Sequence, residues 1–171
     1  MIETDNITRN IDIPDKFASE SKVWIYQCNR KLTEGECLEI NMTLKNFVSL
    51  WKSHGNPVKG FGSVLFHQFL LVMADESTTG VSGCSTDSSV RLMKDIESKY
   101  GISLFDRLTL AFLINDDIVT IPLANFQQAI KDGMVNEETL YFNNTILTKE
   151  ALENEWLIPI RKSWLAQKIK N

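Results

Sequence analysis

Histidine and paired cysteine are scarce in this chain. There are two histidines, His54 and His67, and three widely spaced cysteines, Cys28, Cys37 and Cys84, with neither a CxxC pair nor an HExxH motif. No ligand spacing supports zinc, so no metal and no cofactor are expected. A GxxxxGK[ST] loop is also missing, which argues against ATPase activity. The tight glycine pair Gly60-Phe61-Gly62 precedes a strand-like run rather than a helix, so it is no dinucleotide fingerprint. Basic charge is not in excess: 18 Lys and Arg stand against 22 Asp and Glu, a net charge of −4. That argues against a dedicated nucleic-acid binder, which usually shows a basic domain or stripe. The longest apolar run, Val64 to Ala74, is interrupted by His67 and Gln68. It is far short of the ~20 residues of a membrane helix, so no membrane insertion is expected. The N-terminal stretch lacks the charged, apolar, small-residue order of a secretory signal. With an odd number of thiols, this predicts a cytoplasmic protein with free cysteines.

What is present is enough to fold. The 171 residues are 43% hydrophobic and include nine Phe and four Trp. A chain of this length buries ~70% of its unfolded surface without a staple. We read residues 1–21 as a flexible acidic tail and 22–171 as a single α+β domain. Its core spans about 22–122 and its C-terminal extension about 123–171.

Val23 to Cys28 is β-branched and aromatic, as a strand requires. Thr33-Glu34-Gly35-Glu36 has capping-box spacing. Apolar residues then recur at Cys37, Ile40, Leu44, Phe47, Val48 and Trp51, one stripe of a helix from about Thr33 to His54. Two strand-like runs follow, about Val58 to Phe66 and Phe69 to Asp75, with His67-Gln68 between them. Thr86 or Asp87 can cap a second helix that ends at Gly101. Leu108 to Ile114 reads as a fourth strand, Asn115-Asp116-Asp117 as a turn and Ile118 to Pro122 as a fifth strand. The order through the fourth strand is β-α-β-β-α-β, which predicts a ferredoxin-like core. In the extension, Leu123 to Lys131 and Lys149 to Trp156 read as helices, and Thr139 to Phe142 as a strand.

Phe69 to Ala74 does not alternate in polarity, so this strand is expected to be buried on both faces. The two helices cover one face. The C-terminal extension, or a second copy in a homodimer, should cover the other.

The stretch Ser82-Gly83-Cys84-Ser85-Thr86-Asp87 sits at the start of the second helix. Helix starts favour anions and thiolates. Ser82, Gly83, Ser85, Thr86, Asp87, Arg91 and Trp51 are therefore candidate ligand-binding residues. A ferredoxin-like sheet would gather the end of the first helix, the end of the third strand and the start of the second helix on one rim. Cys84, His54 and Asp75 are then candidate nucleophile, base and orienting group. Glu76, Asp116 and Asp117 would lie nearby. The same residues admit a structural reading, with His54 and the serines serving helix ends and Trp51 the core.

The runs Trp24-Ile25-Tyr26-Gln27, Trp51-Lys52-Ser53-His54-Gly55, Ser82 to Asp87, Phe142-Asn143-Asn144-Thr145 and Ser163-Trp164 resemble a small uncharacterised bacterial family. Its members often carry the label "ABC transporter ATPase". The resemblance covers about Val23 to Lys168 and brings no established activity. The sequence therefore points first to a module that binds a small molecule or protein partner at the start of the second helix. The alternatives are a cysteine-dependent enzyme or redox protein using Cys84, and an accessory protein of an ABC-type transport system.

Overall fold

The computed structural model describes residues 11–14 and 16–170. The first strand, β1, is Lys22–Gln27. Helix α1, Glu34–Leu50, opens on the expected capping box, in which the Thr33 hydroxyl accepts from the Glu36 N–H. Glu36 is also gripped by both terminal nitrogens of Arg30 at 2.9 and 2.8 Å. That contact, followed by the Thr33 N–H, holds its carboxyl down to about 2.

α1 stops at Leu50, not at His54. The chain turns into a short hairpin, β2 (Lys52–Ser53) paired with β3 (Asn56–Pro57). His54 and Gly55 sit in the left-handed region at φ 48° and 82°. Two successive positive φ values make a primed hairpin turn, for which glycine is well suited. The same glycine signal marks helix ends, which explains the longer helix expected from sequence.

Strand β4 (Lys59–Leu65) pairs antiparallel with β5 (Phe69–Asp75). The intervening turn is centred on Phe66 and His67, at φ 51° and 55°. α1 packs so closely on β4 that an added Cβ at Gly62 would lie 3.0 Å from Leu44 Cβ, and one at Gly60 3.0 Å from the Trp51 ring. The glycine pair therefore serves close helix packing.

Helix α2 runs Gly83–Tyr100, with Ser82 as its N-cap and Gly101 in the left-handed region as its C-cap. It starts three residues before Thr86, because Ser82 caps it instead. Next come β6 (Thr109–Ile114) and β7 (Asp117–Pro122), joined by the expected tight turn, with Asn115 and Asp116 at positive φ. The extension forms a short 3-10 turn, Leu123–Asn125, then α3 (Phe126–Lys131), β8 (Leu140–Phe142), α4 (Lys149–Asn154), β9 (Leu157–Pro159) and α5 (Ala166–Ile169).

Two larger antiparallel sheets result, ordered β1-β5-β4 and β7-β6-β8-β9. The first three strands take the order of a ferredoxin-like sheet. The fourth departs from that expectation: β6 pairs with β7 and β8, and not with β1. Both edges of β6 are thus filled within the second sheet. The outer edge of β1 is met by the extension instead, with the Val23 N–H donating to the Leu147 carbonyl and Lys22 bridging to Thr148.

β5 is buried along its whole length, as its apolar run predicts. Leu70, Val72 and Ala74 face Ile40 and Leu44 of α1 and Met93 and Ile96 of α2. Phe69, Leu71 and Met73 face Phe142, Leu152 and Trp156 of the extension. A third cluster, with Phe112 and Phe126, fills the far side of the second sheet.

The tail expected over residues 1–21 is packed where it is described. Ile11 and Phe17 are buried against the extension side of the sheet. The Ala18 N–H donates to Asp75, and the Lys149 and Glu150 N–H groups donate to the Ser21 and Ser19 carbonyls. Residues 1–10 and Asp15 lie outside the described residues.

Candidate functional site

The β2–β3 hairpin stands against the N-terminus of α2, and hydrogen bonds fix the two together. The Ser82 N–H donates to Ser53 Oγ at 3.1 Å. Ser85 Oγ donates to the Lys52 carbonyl at 2.7 Å and lies 2.9 Å from Ser82 Oγ. The indole N–H of Trp51 donates to the Ser85 carbonyl at 3.0 Å. Ser53, Ser85 and Ser89 are buried, and the hydroxyl of each is hydrogen-bonded to a backbone group. Ser53, Ser82 and Ser85 join the hairpin to the helix end, while Ser89 donates back to the Thr86 carbonyl within α2.

Between the hairpin and the 78–82 segment lies an open cleft of about 620 Å³, lined by Ser53, His54, Asn56, Thr78, Thr79 and residues 80–82. Its lining residues supply hydroxyls, an amide and one imidazole beside the apolar Val81, with no carboxylate. The wall is braced from behind by Glu76, which accepts from the Val81 N–H at 2.7 Å and pairs with Lys22 at 3.1 Å. The Val81 contact is the main cause of the lowered pKa of Glu76, with Lys22 adding to it against partial burial.

The expected rim is thus present in part. His54 of the hairpin turn and Ser82 line one cleft, and Trp51, the C-cap of α1, donates to the Ser85 carbonyl, so the end of α1 and the start of α2 do meet. Gly83, Thr86, Asp87 and Arg91 follow on α2; Gly83, Asp87 and Arg91 are exposed and Thr86 is half-buried. Cys84 is exposed on the first turn, whereas Cys28 and Cys37 are buried. Burial pushes the Cys28 thiol up to about 12 and raises that of Cys37. Trp51 is buried in the core and does not line the cleft: its ring sits 6.2 Å edge-on from Trp24 and 5.2 Å from Phe47.

Asp75 does not serve as an orienting group for His54. Its carboxylate is buried and accepts from Lys59 Nζ at 2.6 Å, the Ser77 N–H at 3.0 Å and the Ala18 N–H at 3.3 Å. The Lys59 ammonium, followed by Ser77, holds it well below the usual carboxylate range. Asp117 is elsewhere as well, paired with Lys31 just before α1. Because β6 leaves the first sheet, the Asn115–Asp117 turn lies at the opposite end of α1 from His54. Asn56, Thr78 and Thr79 were not singled out from sequence. Their signal was the polar run Glu76 to Ser85 together with His54-Gly55, whose hairpin brings Asn56 to the cleft.

No protein-family model matches this chain, and no match was found among curated proteins or solved structures. Among the described residues, no group of three or more His, Cys, Asp and Glu side chains is placed to hold a metal ion. No helix among them is long and apolar enough to cross a membrane.

Proposed function

We propose that this protein is a binding module whose site is the cleft between the β2–β3 hairpin and the start of α2. The observation that carries this reading is the cleft itself, about 620 Å³ of open space lined by hydroxyl, amide and imidazole groups. Its walls are held by the Ser82–Ser53 and Ser85–Lys52 hydrogen bonds. Preformed concave sites with a few convergent polar groups are where small ligands bind. The cleft sets hydrogen-bonding groups of both senses among apolar surface, so it suits a small ligand that carries polar groups, or a loop of a partner.

The test is an amide-resolved NMR titration with a panel of small polar fragments. Fragments are expected to shift residues 53–56 and 78–85 first, and His54→Ala to weaken them about tenfold, or ~1.4 kcal/mol. Shifts confined to another surface, or none with any fragment, would overturn the assignment.

A second reading, a cysteine-dependent enzyme or redox protein, is supported by the exposure of Cys84 on the first turn of α2. Alkylation in a Cys28→Ser, Cys37→Ser background separates the two. If native Cys84 reacts faster than the same thiol in the denatured chain, the assignment moves to the second reading. Equal or slower reaction supports binding.

A further inference from the structure

α1 presents large apolar side chains to solvent on its outer side. Leu38, Met42 and Leu50 are 66, 71 and 68% exposed. They fall on one i, i+4 ridge with Asn46, and such ridges are what packed helices interdigitate. Beside the C-terminal half of this ridge runs a groove of about 350 Å³ between α1 and α2, with Thr43, Phe47, Leu50 and Leu92 among its walls. Protruding Leu38 and Met42 therefore occupy one half of the helix, and a receiving groove occupies the other.

Charge is divided in the same way. Glu34, Glu36 and Glu39 all lie in the first six residues of α1, and no acid follows before its end. The basic residues Lys45 and Lys52 lie at the other end, both exposed. Glu36 is bound by Arg30, and Glu39 by Lys99 and Tyr100. Glu34 is 87% exposed on its side chain, with the His67 imidazole at 3.7 Å.

We infer that the α1 face is a homodimer surface, its occupant being α1 of a second copy packed antiparallel across a two-fold axis near Leu44. A two-fold interface must be self-complementary. Here the protruding half of each helix meets the grooved half of the other, and Glu34, the acid at that end with no lysine or arginine in its ion pair, meets the lysine-bearing end. Leu38 would lie over Leu50 of the second copy, since the two are equidistant from the axis, ~9 Å each at 1.5 Å per residue. Met42 would enter the groove beside Phe47 of the second copy. Glu34 would approach Lys52 of the second copy at both ends. This inference does not depend on the cleft.

The test is sedimentation equilibrium of the full chain over a wide concentration range. The wild type is expected to show a reversible monomer–dimer equilibrium. Met42→Lys, at an exposed position that leaves the fold intact by circular dichroism, is expected to raise the dimer dissociation constant ~100-fold, because it buries an unpaired charge. Leu147→Lys changes an equally exposed apolar residue outside α1 and is expected to leave the dimer unchanged. Glu34→Lys and Lys52→Glu should each weaken it, and the double variant should recover it. A wild type that stays monomeric throughout, a Met42→Lys dimer of unchanged affinity, or a double variant no better than the single ones would overturn the proposal.

Discussion

The two faces of β5 are built on different principles. Toward the extension, Phe69 packs against Phe142 with ring centroids 4.8 Å apart and against Trp156 at 5.2 Å, and Phe66 stacks on Trp156 at 6.0 Å. Aromatic contacts of this kind add to the area they bury. Toward the helices, the buried residues are chiefly aliphatic, and near the hairpin the layer gives way to hydrogen-bonded serines and the Trp51 indole. The aromatic face seals the fold, while the helical face keeps a polar end where a cleft opens. Binding surfaces are commonly placed on the less tightly closed part of a domain.

The strongest way to break the aromatic face is at Trp156, which is fully buried and donates from its indole to Asn144 at 2.9 Å. Trp156→Ala removes the ring shared by Phe66, Phe69 and Phe142 and is expected to cost about 4 kcal/mol, read as a lower urea midpoint. Should the loss be below about 1 kcal/mol, the range of a surface change, the extension would not be what closes this side of the sheet.

Asp75 ends β5 on the same side and ties residues 16–18 to the sheet. The Lys59 ammonium that pairs with it also donates to the Lys16 carbonyl and lies 4.8 Å over the Phe17 ring. Asp75→Ala strands these donors and is expected to cost about 2 kcal/mol near neutral pH. Its folded pKa is lowered, chiefly by Lys59. The folded state therefore binds the proton less readily than the unfolded chain does. The stabilisation is fully present above the unfolded value of ~3.9 and is lost as pH falls below it toward the folded value. Urea midpoints of wild type and variant should differ by a constant amount from neutral pH down to about pH 5 and converge below about pH 4. A gap that persists at acid pH would mean that the carboxylate charge is not what matters.

How much of this was legible in the sequence depends on the range of the interactions involved. The start of α1 was readable, because Thr33 and Glu36 satisfy each other within one turn. Burial of β5 on both faces was readable from Phe69 to Ala74 alone. The start of α2 was not, because Ser82, Ser85, Thr86 and Asp87 are all competent caps and tertiary contacts chose Ser82. His54-Gly55 was ambiguous for a related reason, since left-handed backbone serves both a helix end and a hairpin. Of the fourth strand's partners, the fifth strand was readable from the turn between them, and the one on its other edge was hidden. It is fixed by Leu140 and Tyr141, which pair with Leu113 and Phe112 across a long stretch of chain. At the site, the meeting of the α1 end with the α2 start could be read from strand order. The cleft-facing side chains could not, because they depend on a hairpin that the helical stripe concealed.

The polar end of the helical face is sharpened by a smaller change. Ser85→Ala removes the hydroxyl that donates to the Lys52 carbonyl and the contact with Ser82 Oγ, while the backbone carbonyl that receives the Trp51 indole remains. One neutral hydrogen bond is worth about 1 kcal/mol, and this one is only partly buried, so water can replace the donor. The expected effect is therefore local. Amide exchange in the 52–57 hairpin should accelerate about fivefold, which corresponds to ~1 kcal/mol of lost local protection, while Leu70 to Met73 keep their rates. Trp156→Ala should do the reverse and speed exchange along β5, because it weakens the global barrier those amides report. If Ser85→Ala instead speeds exchange along β5 as much as in the hairpin, the serine contacts belong to the global fold. The two faces of β5 would then differ in composition without differing in how they open.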